Sequence, residues 1–293
     1  MVKEPHIGFV HNTQVPATAN MVRELVKNLG LKASSWISTV EELPNRQEQL
    51  KNTSVVIVAG GDGTILRTVR VISTFEIPLV GINMGKVGFM AELSQNEALE
   101  KLPRYLESSY HQSGNIRREE RMMLEANIVP KTGDEPRISL HALNDVTIGT
   151  DNISRLVELE ASVNDAHLTN YRADAVIVST ATGSTGYALA AGGPIVFPEA
   201  QMMILQPVAA HTGLRDCLIL APDSIIAIET SGESKAAISA DGFMDSILEP
   251  GEKISVKQSP YKAQFLRAKE PAFFYTALNM RLGLAYRSQR PAE

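Results

Sequence analysis

The chain has 293 residues, 44% of them hydrophobic, enough to bury one large core or two of ordinary size. A net charge of −5 gives no basic field of the kind that draws nucleic acid, so none is expected as a partner. The single cysteine, Cys217, excludes an internal disulfide and a multi-cysteine zinc site and suits a reducing compartment, with the cytoplasm as the expected location.

From the amino terminus, MVKEPHIGFVHN has no long apolar stretch, and no window reaches the roughly 18 apolar residues of a membrane span; a soluble protein without a membrane partner is expected. Residues 6–10 (HIGFV) read as a short strand. Met21, Val22, Leu25, Val26 and Leu29 then fall on one face of a helix that Gly30 ends. Val55–Ala59 and Pro78–Ile82 are further strands, each bounded by glycine, with Ile65–Ser73 helical between them and a helix from about 96 to 106 closing this part. Such βαβαβ alternation predicts a parallel sheet with helices on its faces.

After a charged link, Arg117–Arg121, the segments shorten and alternate with period two: Val157, Leu159, Ala161 and Val163 are apolar, Glu158, Glu160 and Ser162 polar. Turn signals recur at PKTGDEP (130–136), VNDA (163–166), TSGES (230–234) and EPGEK (249–253), the pattern of antiparallel β structure. One helical island, ALAA (188–191), is stopped by Gly192-Gly193-Pro194. The expected fold class is α/β + β: a Rossmann-like α/β domain with a parallel sheet over 1–115, and an antiparallel β-rich, sandwich-like domain over 116–262. A tail, 263–293, is expected to pack back on the first domain.

The stretch VVIVAGGDGTILRTV (55–69) sets Asp62 among three glycines at a strand-to-helix turn. Glycine permits positive φ and brings backbone N–H groups close to a ligand, and a helix N-terminus adds partial positive charge, so the turn suits a phosphate. A carboxylate repels phosphate. Its presence points to phosphoryl transfer, where some group must orient or deprotonate the attacking hydroxyl; the plain alternative is an aspartate capping the next helix. A second glycine-rich turn, GINMGKVGF (81–89), follows the next strand, and in an open α/β sheet both turns lie at carboxyl ends of strands, where ligands bind. Neither fits GxGxxG or GxxxxGK[ST].

In ADAVIVSTATGSTGYALAAGGPI (173–195), Thr180, Thr182, Ser184 and Thr185 bring hydroxyls to a helix start and Tyr187 a flat ring. Hydroxyls suit ribose or phosphate and a ring suits a base; the plain alternative has Ser184 or Thr185 capping the helix and Tyr187 in a core. Asn144 and Asp145 (LNDVTIG, 143–149) and Asp241 (ISADG, 238–242) are turn residues by type. An Asn amide also pairs with an adenine edge, and a carboxylate accepts from a ribose hydroxyl or a carboxamide. Arg155 and Arg172 offer charge for a ligand phosphate, against the alternative of solvated strand arginines, and His211 reads as structural.

Taken in order, GGDGT (60–64), GINMGKVGFMAEL (81–93), EERMMLEA (119–126), LNDVTI (143–148), YRADAVIVSTATGSTGYALAAGGPI (171–195) and SADG (239–242) resemble the NAD kinase family across nearly the whole chain. GGDGT alone is shared with lipid kinases and phosphofructokinase relatives; the TGSTGY and AGGP segment is the more specific. The resemblance implies transfer of the ATP γ-phosphoryl group to the 2′-hydroxyl of the adenosine ribose of NAD, giving NADP, with a divalent metal such as Mg²⁺. It implies an α/β N-terminal domain, a β-rich NAD-binding C-terminal domain with the site between them, and a homodimer or homotetramer.

Carried over residue by residue, the resemblance makes Asp62 the base, with a role as metal ligand open beside it, and puts Gly63 against the dinucleotide. Asn144 and Asp145 are expected to contact NAD, as are Arg155, Arg172, Asp174 and the run Thr185, Gly186, Tyr187, Ala188, Leu189 and Ala190. The chain departs from the family pattern at several places. Asp145 stands where glutamate is usual, one methylene shorter, so that a ribose contact there is longer or passes through water. Ala175 follows Asp174 in place of glycine, Ala181 replaces a proline, Gly186 an alanine, and Phe243 a polar residue. Two competing readings are a GGDGT lipid kinase, for which the chain offers no basic amphipathic stretch, and a non-catalytic NAD(H) sensor.

Overall fold

The computed structural model describes residues 6–85, 88–107, 115–132, 135–152, 155–231 and 234–283. Parts of the expected turns at 86–87, 133–134 and 232–233, the first five residues of the N-terminal stretch, and the end of the tail, 284–293, lie outside the described residues.

In chain order come β1 (His6–His11), α1 (Pro16–Asn28), β2 (Ser35–Thr39), α2 (Gln47–Leu50), β3 (Thr53–Gly60), α3 (Asp62–Ile72), β4 (Leu79–Asn83), β5 (Leu93–Ser94), α4 (Gln95–Lys101) and α5 (Pro103–Leu106). Then follow β6 (Arg117–Val129), β7 (Ile138–Ala142), β8 (Asp145–Thr150), β9 (Val157–Val163), β10 (Ala166–Ala173), β11 (Ala175–Thr180) and α6 (Tyr187–Ala190). The last are β12 (Met203–Val208), β13 (Leu218–Leu220), β14 (Ile226–Thr230), β15 (Ala236–Ala240), β16 (Phe243–Leu248), β17 (Lys253–Arg267) and α7 (Phe273–Arg281). The chain divides into two compact units, 1–119 with 264–293, and 120–263.

In the first unit the strands run β2–β1–β3–β4, all parallel, with β5 and Phe265 of β17 also parallel to β4. β3 and β4 are buried at nearly every position, as strands covered on both faces must be, which is why they read as unbroken apolar runs. The buried face of α1 (Met21, Val22, Leu25, Val26) joins Phe9, Ile57 and Ile82 in one core, and Gly30, at φ +68°, lets the chain leave the helix. Two expectations need correcting. The helix expected over 96–106 is two helices, because Pro103 has no N–H to continue α4 and opens a new turn instead. β2 was not expected, since five residues with half-buried alternation carry too short a signal.

The second unit holds two antiparallel sheets. One has β10, β9, β14 and β17 with β6 and β7, and the other runs β13–β12–β11–β8–β15–β16. Their inner faces share one core, Met122, Leu124, Leu159 and Ile228 from the first and Val146, Ile148, Val178 and Ile238 from the second. The alternation expected over 157–163 is present, with Val157, Leu159 and Ala161 buried and Glu158 and Glu160 outward. The expected charged link at Arg117–Arg121 is instead the start of the 13-residue strand β6, and Glu119 and Arg121 are buried. Charge was a misleading cue there, because paired buried charges are the exception among charged residues.

Candidate active site

β3 ends at Gly60 directly opposite Asn83, the end of β4, so both glycine-rich turns leave the same edge of the parallel sheet. Helix α3 starts at Asp62, with Gly61 as its N-cap, and no side chain caps it. The Asp62 carboxylate reaches the second turn instead: Oδ2 accepts the backbone N–H of Phe89 at 3.0 Å and Oδ1 that of Met90 at 3.3 Å. Oδ2 also accepts Nη1 of Arg281, the last residue of α7, at 2.9 Å. The aspartate therefore ties two loops together rather than capping its own helix.

Positive φ is not what these glycines supply, since neither Gly60, Gly61 nor Gly63 has it. A Cβ on Gly60 would press on the Thr64 side chain, and one on Gly88 would overlap Asp62 Oδ1. At Gly61 and Gly63 a Cβ would meet nothing, which leaves the start of α3 bare for a ligand to approach. Gly88→Ala is accordingly expected to push the Asp62 carboxylate off its two amides and lower kcat by roughly tenfold or more. A steady-state assay showing wild-type kcat would mean that the carboxylate position does not matter.

Met90 is fixed from behind as well. Its carbonyl accepts Arg267 Nη1 at 2.9 Å, and Arg267 is held between the buried carboxylates of Glu92 and Glu119, each at 3.3 Å. Glu92 also accepts from the Tyr105 hydroxyl and from the amides of Ala268 and Lys269.

In the second unit, Asp241 sits in the left-handed region at φ 54° and turns its carboxylate onto three successive amides, those of Leu143 (3.0 Å), Asn144 (2.6 Å) and Asp145 (3.3 Å). Both oxygens are thus engaged in shaping the Asn144-Asp145 corner. The Asn144 carbonyl accepts Thr180 N and Ser179 Oγ, and a Cβ on Gly183 would overlap it, so the Thr-Gly-Ser loop lies directly on that corner. Asn144 Oδ1 is buried with no hydrogen-bond partner among the described residues.

The hydroxyls of that loop all make internal bonds. Thr180 Oγ1 donates to Leu143 O and accepts Gly183 N, Thr182 donates to Pro198 O, Ser184 exchanges bonds with Val196, and Thr185 donates to Thr182 O. None caps α6. Tyr187 is 43% exposed, so its ring is a free face rather than core. Gly186 and Ala190 are exposed and Leu189 half-buried, while Ala188 is fully buried, its carbonyl accepting the Gly193 N–H.

The remaining expected residues lie elsewhere on the sheet. In the β8–β11 ladder Asp145 pairs with Ser179 at one end and Gly149 with Ala175 at the other, a span of roughly 13 Å. Asp174 accepts from Thr150 N at the far end, and Arg155 donates from its backbone N to Asn152 just beyond it. Arg172 is exposed there, 3.8 Å from Glu158. The structure thus gathers Asn144, Asp145 and Thr185–Ala190 at one end and Arg155, Arg172 and Asp174 at the other.

Burial, and then the neighbouring Asp241 carboxylate, push the Asp145 carboxyl up to about 7 from its ordinary value of 3.8. The folded state therefore keeps a proton that the unfolded chain sheds at lower pH, so this group's effect on stability worsens as pH rises through that window. Thermal melts of wild type and Asp145→Asn between those pH values should diverge, the Asn variant gaining on wild type toward the alkaline end. Parallel curves would show that Asp145 titrates normally.

Family models agree with the motif order. Residues 35–110 match the ATP-NAD kinase N-terminal domain and residues 143–268 the ATP-NAD kinase C-terminal domain. A NAD kinase of Dehalococcoides mccartyi is 34% identical over 277 residues, 94% of this chain and 95% of that protein. The chain belongs to the NAD kinase family. A NAD kinase of Heliobacterium modesticaldum is 32% identical over 279 residues, 92% of this chain and 96% of the relative. Among solved structures, yeast NADH kinase complexed with NADH superposes with a TM-score of 0.85 at 23% identity, covering 100% of this chain and 91% of that one. A NAD kinase from Archaeoglobus fulgidus in complex with ATP gives 0.71 at 22% identity, covering 94% and 98%. These two share the NAD kinase fold, an α/β unit with a parallel sheet and a β-rich antiparallel unit.

Sequence reasoning missed Phe89, Met90, Glu92, Arg267 and Arg281. The first three lie inside GINMGKVGFMAEL, and the amides of Phe89 and Met90 follow a glycine that only a close approach explains. No local signal marks Arg267 or Arg281.

Proposed function

We propose that this chain transfers the γ-phosphoryl group of ATP to the 2′-hydroxyl of the adenosine ribose of NAD, forming NADP. The observation that carries the reading is the Asp62 carboxylate, oriented by the amides of Phe89 and Met90 beside two bare glycines at the start of a helix. A carboxylate so held accepts the hydrogen bond of the attacking hydroxyl and takes its proton as the O–P bond forms. Amides at the start of α3 favour the negative charge of the incoming phosphate.

NAD is assigned to the second unit's corner. The unmet Asn144 Oδ1 suits an N–H of an adenine edge, Asp145 a ribose hydroxyl, and the exposed Tyr187 ring a base face. Thr185, Gly186, Leu189 and Ala190 offer backbone or small surface to NAD there, with Ala188 buried beneath that run, and Arg155, Arg172 and Asp174 serve a more distant portion; Gly63, at the bare start of α3, is assigned to the reacting end. The divalent cation is read as part of the substrate, MgATP. Magnesium in phosphoryl transfer asks the protein for one or two carboxylates beside the phosphates, and among the described residues no three His, Cys, Asp or Glu gather as a cage.

A homodimer or homotetramer in the cytoplasm fits the chain. The terminal strands of the six-stranded sheet, β13 and β16, expose Ile219 and Met244, the single cysteine suits a reducing compartment, and no described helix is long and apolar enough to cross a membrane. The decisive experiment is an end-point assay with Mg²⁺ and ATP offering NAD, NADH and diacylglycerol side by side. NADP(H) formation is expected. Phosphorylated lipid would establish the lipid kinase, and NAD binding without NADP the sensor.

A further inference from the structure

Arg281 sits where a phosphoryl-transfer site has most need of a cation. Its Nη1 donates to Asp62 Oδ2 at 2.9 Å, and its guanidinium carbon lies 4.7 Å from the centroid of the Phe89 ring. Phe89 thereby holds both partners, the aspartate through its backbone N–H and the arginine through its ring, and the ring itself packs 6.1 Å from Phe274 on the same helix as Arg281. The arginine side chain is 44% exposed and Asp62 21%. A guanidinium has five N–H donors in a planar fork that matches phosphate oxygens, so an exposed one retains capacity for a second anion.

Charge and the remaining hydrogen bonds say what the pair is for. An isolated carboxylate beside the start of α3 would repel a triphosphate, whereas the Asp62–Arg281 pair is neutral. If the guanidinium swings away, Asp62 is not orphaned, because Phe89 N–H stays on Oδ2 and Met90 N–H on Oδ1. The base keeps its orientation and gives up only its counter-ion. Its place is taken by the proton it receives.

We propose that Arg281 is a catalytic residue that leaves Asp62 to grip the γ-phosphoryl group of MgATP as it is transferred, neutralising its charge from the C-terminal helix. The assignment rests on the phosphoryl-transfer reading above. In the resting enzyme the same arginine shields the polyanion's approach from the aspartate's charge; during transfer it serves the phosphoryl oxygens, as arginines do elsewhere in this chemistry.

The test separates a phosphate contact from mere positioning of the base. Arg281→Ala should lower kcat/KM for MgATP by roughly 30-fold while KM for NAD moves much less, and Arg281→Lys, a point charge without the fork, should fall between. Unchanged melting temperatures would confirm that both variants fold. Calorimetric titration with MgATP then compares Asp62→Asn with Asp62→Asn/Arg281→Ala. The double variant should bind roughly tenfold more weakly, since no aspartate remains to be positioned. Equal binding by these two, or wild-type kcat/KM in Arg281→Ala, would overturn the assignment. Failure of the wild type to make NADP would count against the activity instead, and the binding comparison would still decide the arginine.

Discussion

Asp62→Asn is expected to lower kcat for NADP formation by on the order of 10²-fold or more while the protein stays folded. The substitution keeps size and shape and replaces one acceptor oxygen by an NH₂ group. A carbonyl turned toward Phe89 N and Arg281 Nη1 would keep both of those bonds, at 3.0 and 2.9 Å, so the variant gives up only the longer bond from Met90 N, at 3.3 Å. The loop junction therefore survives, and the melting temperature should change little. What disappears is the capacity to take a proton from the ribose hydroxyl. The reduction should fall on kcat with KM for both substrates within a few-fold, as befits a group whose main interaction strengthens in the transition state. Measured turnover close to wild type would remove Asp62 from the chemistry, leaving it as a tie between two turns.

The largest effect on stability is expected at Arg267. Its side chain is 6% exposed and lies between Glu92, 1% exposed, and Glu119, 5% exposed, with a further bond to Met90 O. The guanidinium also rests over the Phe265 ring at 4.8 Å. Burial and the Glu92 carboxylate drive the Tyr105 phenol far above its usual range, so the phenol stays protonated and donates to Glu92 at 2.8 Å. Arg267→Met preserves much of the volume but leaves two buried carboxylates without the cation they share. Breaking a buried pair from one side costs about 3–5 kcal/mol, because desolvated charge remains uncompensated. Urea unfolding monitored by circular dichroism should show a midpoint lowered accordingly. A change below about 1 kcal/mol would mean that water or Arg117, which pairs with the other oxygen of Glu119 at 2.7 Å, already compensates that charge. Because Met90 N–H holds Asp62, the surviving folded fraction should also be less active, linking the core network to the chemistry.

Local pattern carried most of the elements and the two glycine-rich turns. Unbroken apolar runs before GGDGT and GINMG told of strands buried on both faces, the period-two alternation at 157–163 told of a half-buried antiparallel strand, and glycine at 30 and 192 marked helix ends. These features are legible because periodicity and glycine report on the backbone within a few residues of themselves. The motif order was enough to identify the family.

Only the tertiary structure decided which charges are buried and what they meet. Asp62 and Arg281 are 219 positions apart, Arg267 and Glu92 175, and Asp241 reaches the Asn144 amide across 97. A charged residue in a sequence looks the same whether it ends in water or against a partner, since its burial is settled by the partner's position in space. For that reason Arg117–Arg121 passed for a linker, and Arg281, which meets the Asp62 carboxylate, left no local trace at all.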